Sequence, residues 1–264
     1  MVREFQNKKE WALILGGSSG LGLATAKKLA KHGMNICIVH RNSRAQKRNI
    51  DECFKEIIDK SIDFISYNIN ALKAEKRAFV IKSLRKKLEG SKIKILVHSI
   101  ARGNLKPMVS DSTPTLQSDD LNLTIQAMGI SLYDWVKSVF DAKLFSEDAR
   151  IISFTSEGNN RALKNYAAVS AAKVTLEAIT RNIALEFARF GIKANCIQAG
   201  VTDTESFRMI PSSNEIKKHS ISRNPFGRLT LPDDIANVVY LLAKEEAAWI
   251  NGTIIPVDGG DHII

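Results

Sequence analysis

The chain has 264 residues, 44% hydrophobic and 25% charged, the balance of an ordinary globular protein. No apolar run approaches the roughly 18 residues of a membrane span. The first, "WALIL" after "REFQNKKE", is too short and wrongly flanked for a signal peptide, so a cytoplasmic protein with no membrane partner is expected. Lysine and arginine number 38 against 28 acidic residues, a net charge of +10. That excess is dispersed, and no aromatics interleave with it as on a nucleic-acid platform.

Seven short runs read as strands: 11–16, 35–40, 63–68, 93–99, 150–156, 193–199 and 252–258. Most are continuously apolar, as strands covered on both faces must be. Helical patterns alternate with them, at 21–33, at 51–60, in the basic stretch 73–94 and at 233–247, the last with Asp233 or Asp234 as N-cap. Strand–helix alternation from end to end predicts an α/β fold: a Rossmann-type, doubly wound parallel sheet of about seven strands with helices on both faces. No repeat or linker interrupts residues 1–264, so one dinucleotide-binding catalytic domain is expected. Two longer strand-free stretches stand out, a polar loop and long helix over 101–148 and an irregular segment over 203–225. Loops of this length in such a domain are usually functional. Cys37, Cys53 and Cys196 are scattered, with Cys37 and Cys196 inside apolar runs, which predicts inert thiols in a reducing compartment. The five histidines lack metal-ligand spacing, so no metal site is expected.

"LGGSSGLG" (15–22) follows the first strand and opens a helix. Gly16, Gly20 and Gly22 permit a tight turn and let the backbone, with Ser18, Ser19 and Leu21, approach a pyrophosphate at the helix N-terminus. The second strand ends "IVHRNSR" (38–44), where an NAD-selective site would place a carboxylate on the ribose. His40, Arg41, Asn42 and Arg44 stand there instead. Arginine suits a 2′-phosphate, so the cofactor is expected to be NADP(H).

Three tyrosine–lysine pairs invite comparison. Tyr133/Lys137 and Tyr240/Lys244 are four apart on helices without a strand-end serine before them, and read as packing tyrosines with surface lysines. Tyr166 and Lys173 follow the fifth strand, whose end belongs at the ligand-binding edge of such a sheet. On a helix, seven residues turn about 700° and rise about 10.5 Å, so the two share a face.

"LGGSSGLG", "LVHSIA" (96–101), "FTSEGNNRALKNYAAVSAAK" (154–173), "ANCIQAGVTDT" (194–204) and "PVDGG" (256–260) together resemble the short-chain dehydrogenase/reductase superfamily over nearly the whole chain. Tyr–x6–Lys and "HSIA" are similar to its enoyl-acyl-carrier-protein reductases. Most other members place the tyrosine four before the lysine, where this chain has Val169. The resemblance implies that Lys173 binds the nicotinamide ribose and Tyr166 hydrogen-bonds a thioester carbonyl. It implies that Asn68 and Ile69 border the adenine, although many relatives carry Asp at the position of Asn68. Ser99, Ile100 and Ala101 line the cofactor, Gly200 and Val201 close over the nicotinamide with Thr204 on its amide or phosphate, and 203–225 covers the substrate. Ser156 stands where many enoyl reductases carry a second tyrosine and ketone-reducing relatives carry serine.

The spacing has a chemical reading. A ketone reductase needs its acid beside the carbon that takes hydride. Conjugate reduction delivers hydride to the β-carbon, and charge appears on an oxygen two carbons away. A displaced phenol suits the second case, and as an acid its pKa should be lowered by Lys173 and the nicotinamide charge. An NADPH-dependent enoyl-thioester reductase of fatty-acid synthesis follows, with acyl carrier protein as the substrate's carrier. A basic docking surface is expected from Arg161, Lys164, Arg208, Lys217 and Lys218. A 3-ketoacyl or other carbonyl reductase, and a cofactor-binding protein without turnover, are the alternatives. Relatives form homotetramers through the helices corresponding to 121–145 and 165–189. A homotetramer or homodimer burying Ile263 and Ile264 is therefore expected.

Overall fold

The computed structural model describes residues 3–58 and 61–264. Its strands are β1 (Glu10–Leu15), β2 (Asn35–His40), β3 (Phe64–Asn68), β4 (Lys92–His98), β5 (Phe145–Ser156), β6 (Ile192–Ala199) and β7 (Ile254–Val257). They form one parallel sheet in the order β3-β2-β1-β4-β5-β6-β7. The order reverses at β1, where the chain turns to build the other half, and ligands bind in the crevice at such a switch point.

Alternation along each strand explains the continuous apolar runs. Ala12 and Ile14, with Ile36, Ile38, Ile95 and Val97, face one layer of the core. Leu13 and Leu15, with Cys37, Val39 and Leu96, face the other. Helices α1 (Gly20–Lys31), α2 (Lys47–Lys55) and α9 (Pro232–Ala243) cover the first face, and α3 (Ala74–Lys87), α5 (Ser131–Asp141) and α6 (Ala167–Glu186) cover the second. Helix α4 (Ser118–Ile125) runs into α5 through a π-helical turn, Gln126–Ile130. Two helices, α7 (Glu205–Arg208) and α8 (Ser213–Arg223), complete the set.

Several expected boundaries move. The segment 203–225 is mostly helical rather than irregular. Strand β5 begins at Phe145 because Phe145 pairs with Ile93 before the register shifts. Helix α2 starts at Lys47 and ends at Lys55; residues 59 and 60 of the expected helix lie outside the described residues. At α9 the N-cap is Leu231. Asp234 sits three residues in, where its carboxylate accepts the Leu231 amide at 2.8 Å and pairs with Arg228 at 2.7 Å. Tyr166 lies one residue before α6, as its N-cap with φ −111°.

At the amino edge of the sheet, one carboxylate serves three cations. Asp148 pairs with Lys94 (2.7 Å), Lys193 (2.6 Å) and Arg150, the last almost wholly buried. Burial raises the Asp148 pKa, but the hydrogen bonds from Arg150, Lys193 and Lys94 outweigh it and hold the carboxyl well below the usual range. A depressed carboxylate stabilises the fold above its unfolded pKa and loses that contribution as pH falls below it. Replacing Asp148 by Asn strands two buried cations, and should cost on the order of 2–3 kcal/mol, reduced from a fully buried pair because Asp148 is partly solvated. Urea denaturation at neutral pH checks this; a loss below about 0.5 kcal/mol would contradict the pairing.

Candidate active site at the carboxyl edge of the sheet

The expected site residues leave the strands at one edge. Gly16 follows β1, Arg41 and Asn42 follow β2, and Asn68 and Ile69 end and follow β3. Ser99, Ile100 and Ala101 follow β4, Ser156 ends β5, and Gly200, Val201 and Thr204 follow β6. Because every strand is parallel, these positions gather along one rim. Ladder-like bonds continue past the strand ends: Gly16 N to Val39 O (2.8 Å), Ser99 N to Leu15 O (2.8 Å) and Ile69 N to His40 O (2.7 Å).

The glycine turn is tightly built. Gly16 has φ +83°, and a Cβ there would run into the Ser99 carbonyl. A Cβ on Gly22 would strike the Gly16 carbonyl, so α1 starts against the turn itself. Gly20 has φ +52° and faces the Thr204 methyl, which brings the β6 loop over the turn. Ser19 is the N-cap of α1 but makes no side-chain cap bond, and no acid lies in the first turn. An uncapped helix N-terminus behind a side-chain-free cradle fits a dinucleotide pyrophosphate. Thr204 also acts within its own loop, where its Oγ1 caps α7 by accepting the Phe207 amide at 3.2 Å.

Beyond β2, Arg41 and Arg44 are exposed, and neither enters an ion pair among the described residues. Burial pushes the neighbouring His40 imidazole down, against the opposing effect of its bond to Asn42.

Tyr166 and Ser156 meet at the end of β5, and Lys173 of α6 reaches the same strand two residues earlier, at the Phe154 carbonyl. The Tyr166 ring lies against Gly158, where a Cβ would collide with it. Burial raises the phenol pKa, and Ser156 works against that rise. The expected lowering by Lys173 is thus corrected: desolvation dominates. The Ser156 hydroxyl is buried beside that phenol. Lys173 is buried and donates to the Phe154 carbonyl at 2.5 Å. Burial pushes its pKa down to about 8, opposed by Cys196 and Glu177. Glu177, one turn further along α6, accepts from Thr155 and Asn159.

Val169 is buried with Ala127, Met128 and Ala172, and a Cβ on Gly103 would press into its side chain. Position 169 is therefore packed full. The other pairs lie apart from this arrangement. Tyr133 is exposed rather than packed, and Lys137 bonds Asp141 at 2.6 Å. Tyr240 stacks on His32 at 3.9 Å, and Lys244 pairs with Glu246 at 3.3 Å.

Some functional contacts were invisible in the sequence. Arg223 of α8 bonds Asp261 (2.7 Å) and Glu157 (3.1 Å), tying the 203–225 segment to the end of β5 and to the C-terminal turn. Arg208 and Lys217 both pair with Asp203 at 2.7 Å, and Arg161 reaches Glu157 and the Ile264 carbonyl. His98 donates from Nε2 to Ser131 Oγ (2.8 Å), whose proton goes to Ala127 O (2.8 Å) within the π turn. Burial, with Lys173 adding to it, pushes His98 down to about 3. Glu177 could have been found from its four-residue spacing to Lys173; Arg223 left no local signal. No cluster of three or more metal-ligating side chains, and no helix long and apolar enough to cross a membrane, occurs among the described residues.

The fold, the glycine turn and the tyrosine–lysine pair define a nicotinamide-dependent oxidoreductase. A family model described as "Enoyl-(Acyl carrier protein) reductase" matches residues 16–262, and the chain belongs to that family of the short-chain dehydrogenase/reductase superfamily. Its curated relatives are mixed. It is 28% identical over 268 residues to a 7alpha-hydroxysteroid dehydrogenase of Paraclostridium sordellii, covering 99% of this chain and 94% of that one. It is 25% identical over 252 residues to the 3-oxoacyl-[acyl-carrier-protein] reductase FabG of Chlamydia muridarum, covering 94% and 96%. Among solved structures, the enoyl-[acyl-carrier-protein] reductase (NADH) of Aquifex aeolicus VF5 superposes with a TM-score of 0.83 at 20% identity, over 97% of each chain.

Lys173 carries a stability prediction. The unfolded chain binds the lysine proton up to its ordinary pKa of 10.5, while the folded one releases it near 8. Stability is therefore lost as pH falls through that window, at about 1.4 kcal/mol per pH unit, and the deficit persists below it. Lys173→Met should raise Tm at neutral pH by about 2–4 °C or more while abolishing turnover. Calorimetry across this pH range checks it; an unchanged Tm would show that the buried charge carries no such cost.

Proposed function

We propose that the chain is an NADPH-dependent reductase of the trans-2 double bond of enoyl thioesters. The observation that carries this reading is the filled position 169: the phenol stands at 166, ahead of α6, rather than over the lysine by one turn. When bound, the nicotinamide supplies hydride to the β-carbon. Tyr166 then donates a hydrogen bond to the thioester oxygen, where negative charge develops two carbons away. Desolvation around Tyr166 keeps the phenol protonated as a donor. Lys173 would hold the nicotinamide ribose, the uncapped N-terminus of α1 would hold the pyrophosphate, and Arg41 and Arg44 would meet the 2′-phosphate.

Ser156 favours a second reading. A buried hydroxyl beside a tyrosine suits polarisation of a ketone, the chemistry suggested by the names of the two curated relatives. The two readings separate in one experiment. NADPH oxidation is followed with crotonyl and acetoacetyl thioesters, each free and carrier-bound. Conjugate reduction predicts turnover on the crotonyl substrate, a fall of about a hundredfold or more in Tyr166→Phe with cofactor affinity kept, and little effect of Ser156→Ala. Turnover on the acetoacetyl substrate alone, lost in Ser156→Ala, would establish the ketone reading instead.

The same proposal includes an acidic acyl carrier protein and a homo-oligomer. Asp203 already neutralises Arg208 and Lys217, so Lys164 and Lys218, both exposed, are the better docking cations; a KM no lower for the carrier-bound substrate argues against them. Ile263, Ile264, Trp249 and Leu185 are exposed in the single chain and suit burial between copies, which a monomeric elution would oppose.

A further inference from the structure

Asn68 closes the ladder between β2 and β3 in an unusual way. The last backbone rung pairs His40 with Asn68. One step further, a side chain takes the place of a strand. Asn42 N donates to Asn68 Oδ1 at 3.0 Å, and Asn68 Nδ2 donates back to Asn42 O at 3.1 Å. A backbone amide only donates and a carbonyl only accepts, so this pair fixes which way round the Asn68 amide stands.

The loop is closed from its other side as well. Asn42 Oδ1 bonds His40 Nδ1 at 2.8 Å, and Gln46 accepts the Ser43 amide at 3.1 Å. The backbone between β2 and α2 is thus held at both ends. The side chains it carries outward, Arg41 and Arg44, enter no ion pair among the described residues. A fixed backbone that presents two unpaired guanidinium groups is prearranged for a dianion such as a 2′-phosphate.

We infer that Asn68 is the positioning residue for cofactor discrimination: it clamps the Arg41–Arg44 loop and thereby sets the preference for NADP(H) over NAD(H). The inference rests on the NADP(H) reading of that loop. The chemistry requires the amide. Aspartate accepts from Asn42 N as well as asparagine does, but it cannot donate to Asn42 O. It would set two oxygens against each other and add a negative charge beside the arginine loop.

The test measures binding rather than turnover. NADPH and NADH are titrated by fluorescence against wild type, Asn68→Asp, Asn68→Ala and the double variant Arg41→Ala/Arg44→Ala. Exchange of the Asn42 amide proton is followed in the cofactor-free protein. The expected result is a wild-type preference for NADPH that falls about tenfold or more in Asn68→Asp, through weaker NADPH binding with NADH affinity little changed. Asn68→Ala should lose part of the preference and expose the Asn42 amide to exchange. A preference unaltered in Asn68→Asp, or an Asn42 amide equally protected in Asn68→Ala, overturns the clamp. A wild type that binds both cofactors alike, and is indifferent to the double arginine variant, overturns the NADP(H) reading instead; the exchange measurement then still decides whether the clamp exists.

Discussion

Everything at the site depends on how closely β1 and β4 approach where they end. Leu15 lies opposite His98, and the next residue of each chain passes the other without a side chain between them. The Ser99 carbonyl occupies the space that any Cβ on Gly16 would need. That contact brings the loop after β4 onto the glycine turn after β1. It also sets where α1 starts, because Gly22 in turn packs on the Gly16 carbonyl. The approach is a backbone matter, made before any functional side chain is placed.

Behind this rim the protein carries costly polar groups. Lys173, Glu177 and His98 are buried within a short distance along the sheet, and desolvation drives Lys173 and His98 toward their neutral forms. Glu177 works the other way on Lys173, and Thr155 and Asn159 satisfy the carboxylate. The end of the π turn adds to this arrangement: Ser131 bonds the Ala127 carbonyl and gives His98 a partner. Gly129 in that turn lets it lie directly against α6, where a Cβ would meet Thr175. The helix that carries the lysine is therefore braced on the side away from the strands.

The central strands were legible because they are covered on both faces and so read as unbroken apolar runs. The glycine turn was legible because its constraint is one of backbone volume. The first part of β5 was not: Ser146, Glu147 and Asp148 are polar and lie in the register shift between the Ile93–Phe145 and Ile95–Arg150 pairs. Helix α8 was missed because "SNEIKKHSISR" has few apolar residues to mark a period. The start of α6 was misplaced because tyrosine is not an expected N-cap. The role of Asn68 was out of reach for another reason: its partner is 26 positions away, and a side chain standing in for a strand leaves no pattern.

The packing around Val169 also bears on how such a site can change over generations. Gly103 leaves just the room this side chain takes, since a Cβ there would collide with it, while Ala127 and Met128 pack on it from the π turn. A phenol introduced there would meet the Gly103 backbone and the side chains of Met128 and Tyr166. Moving the tyrosine from 166 to 169 is thus no single mutational step. It requires the loop after β4 and the α4–α5 junction to repack together, so the two arrangements are separated by several coordinated substitutions.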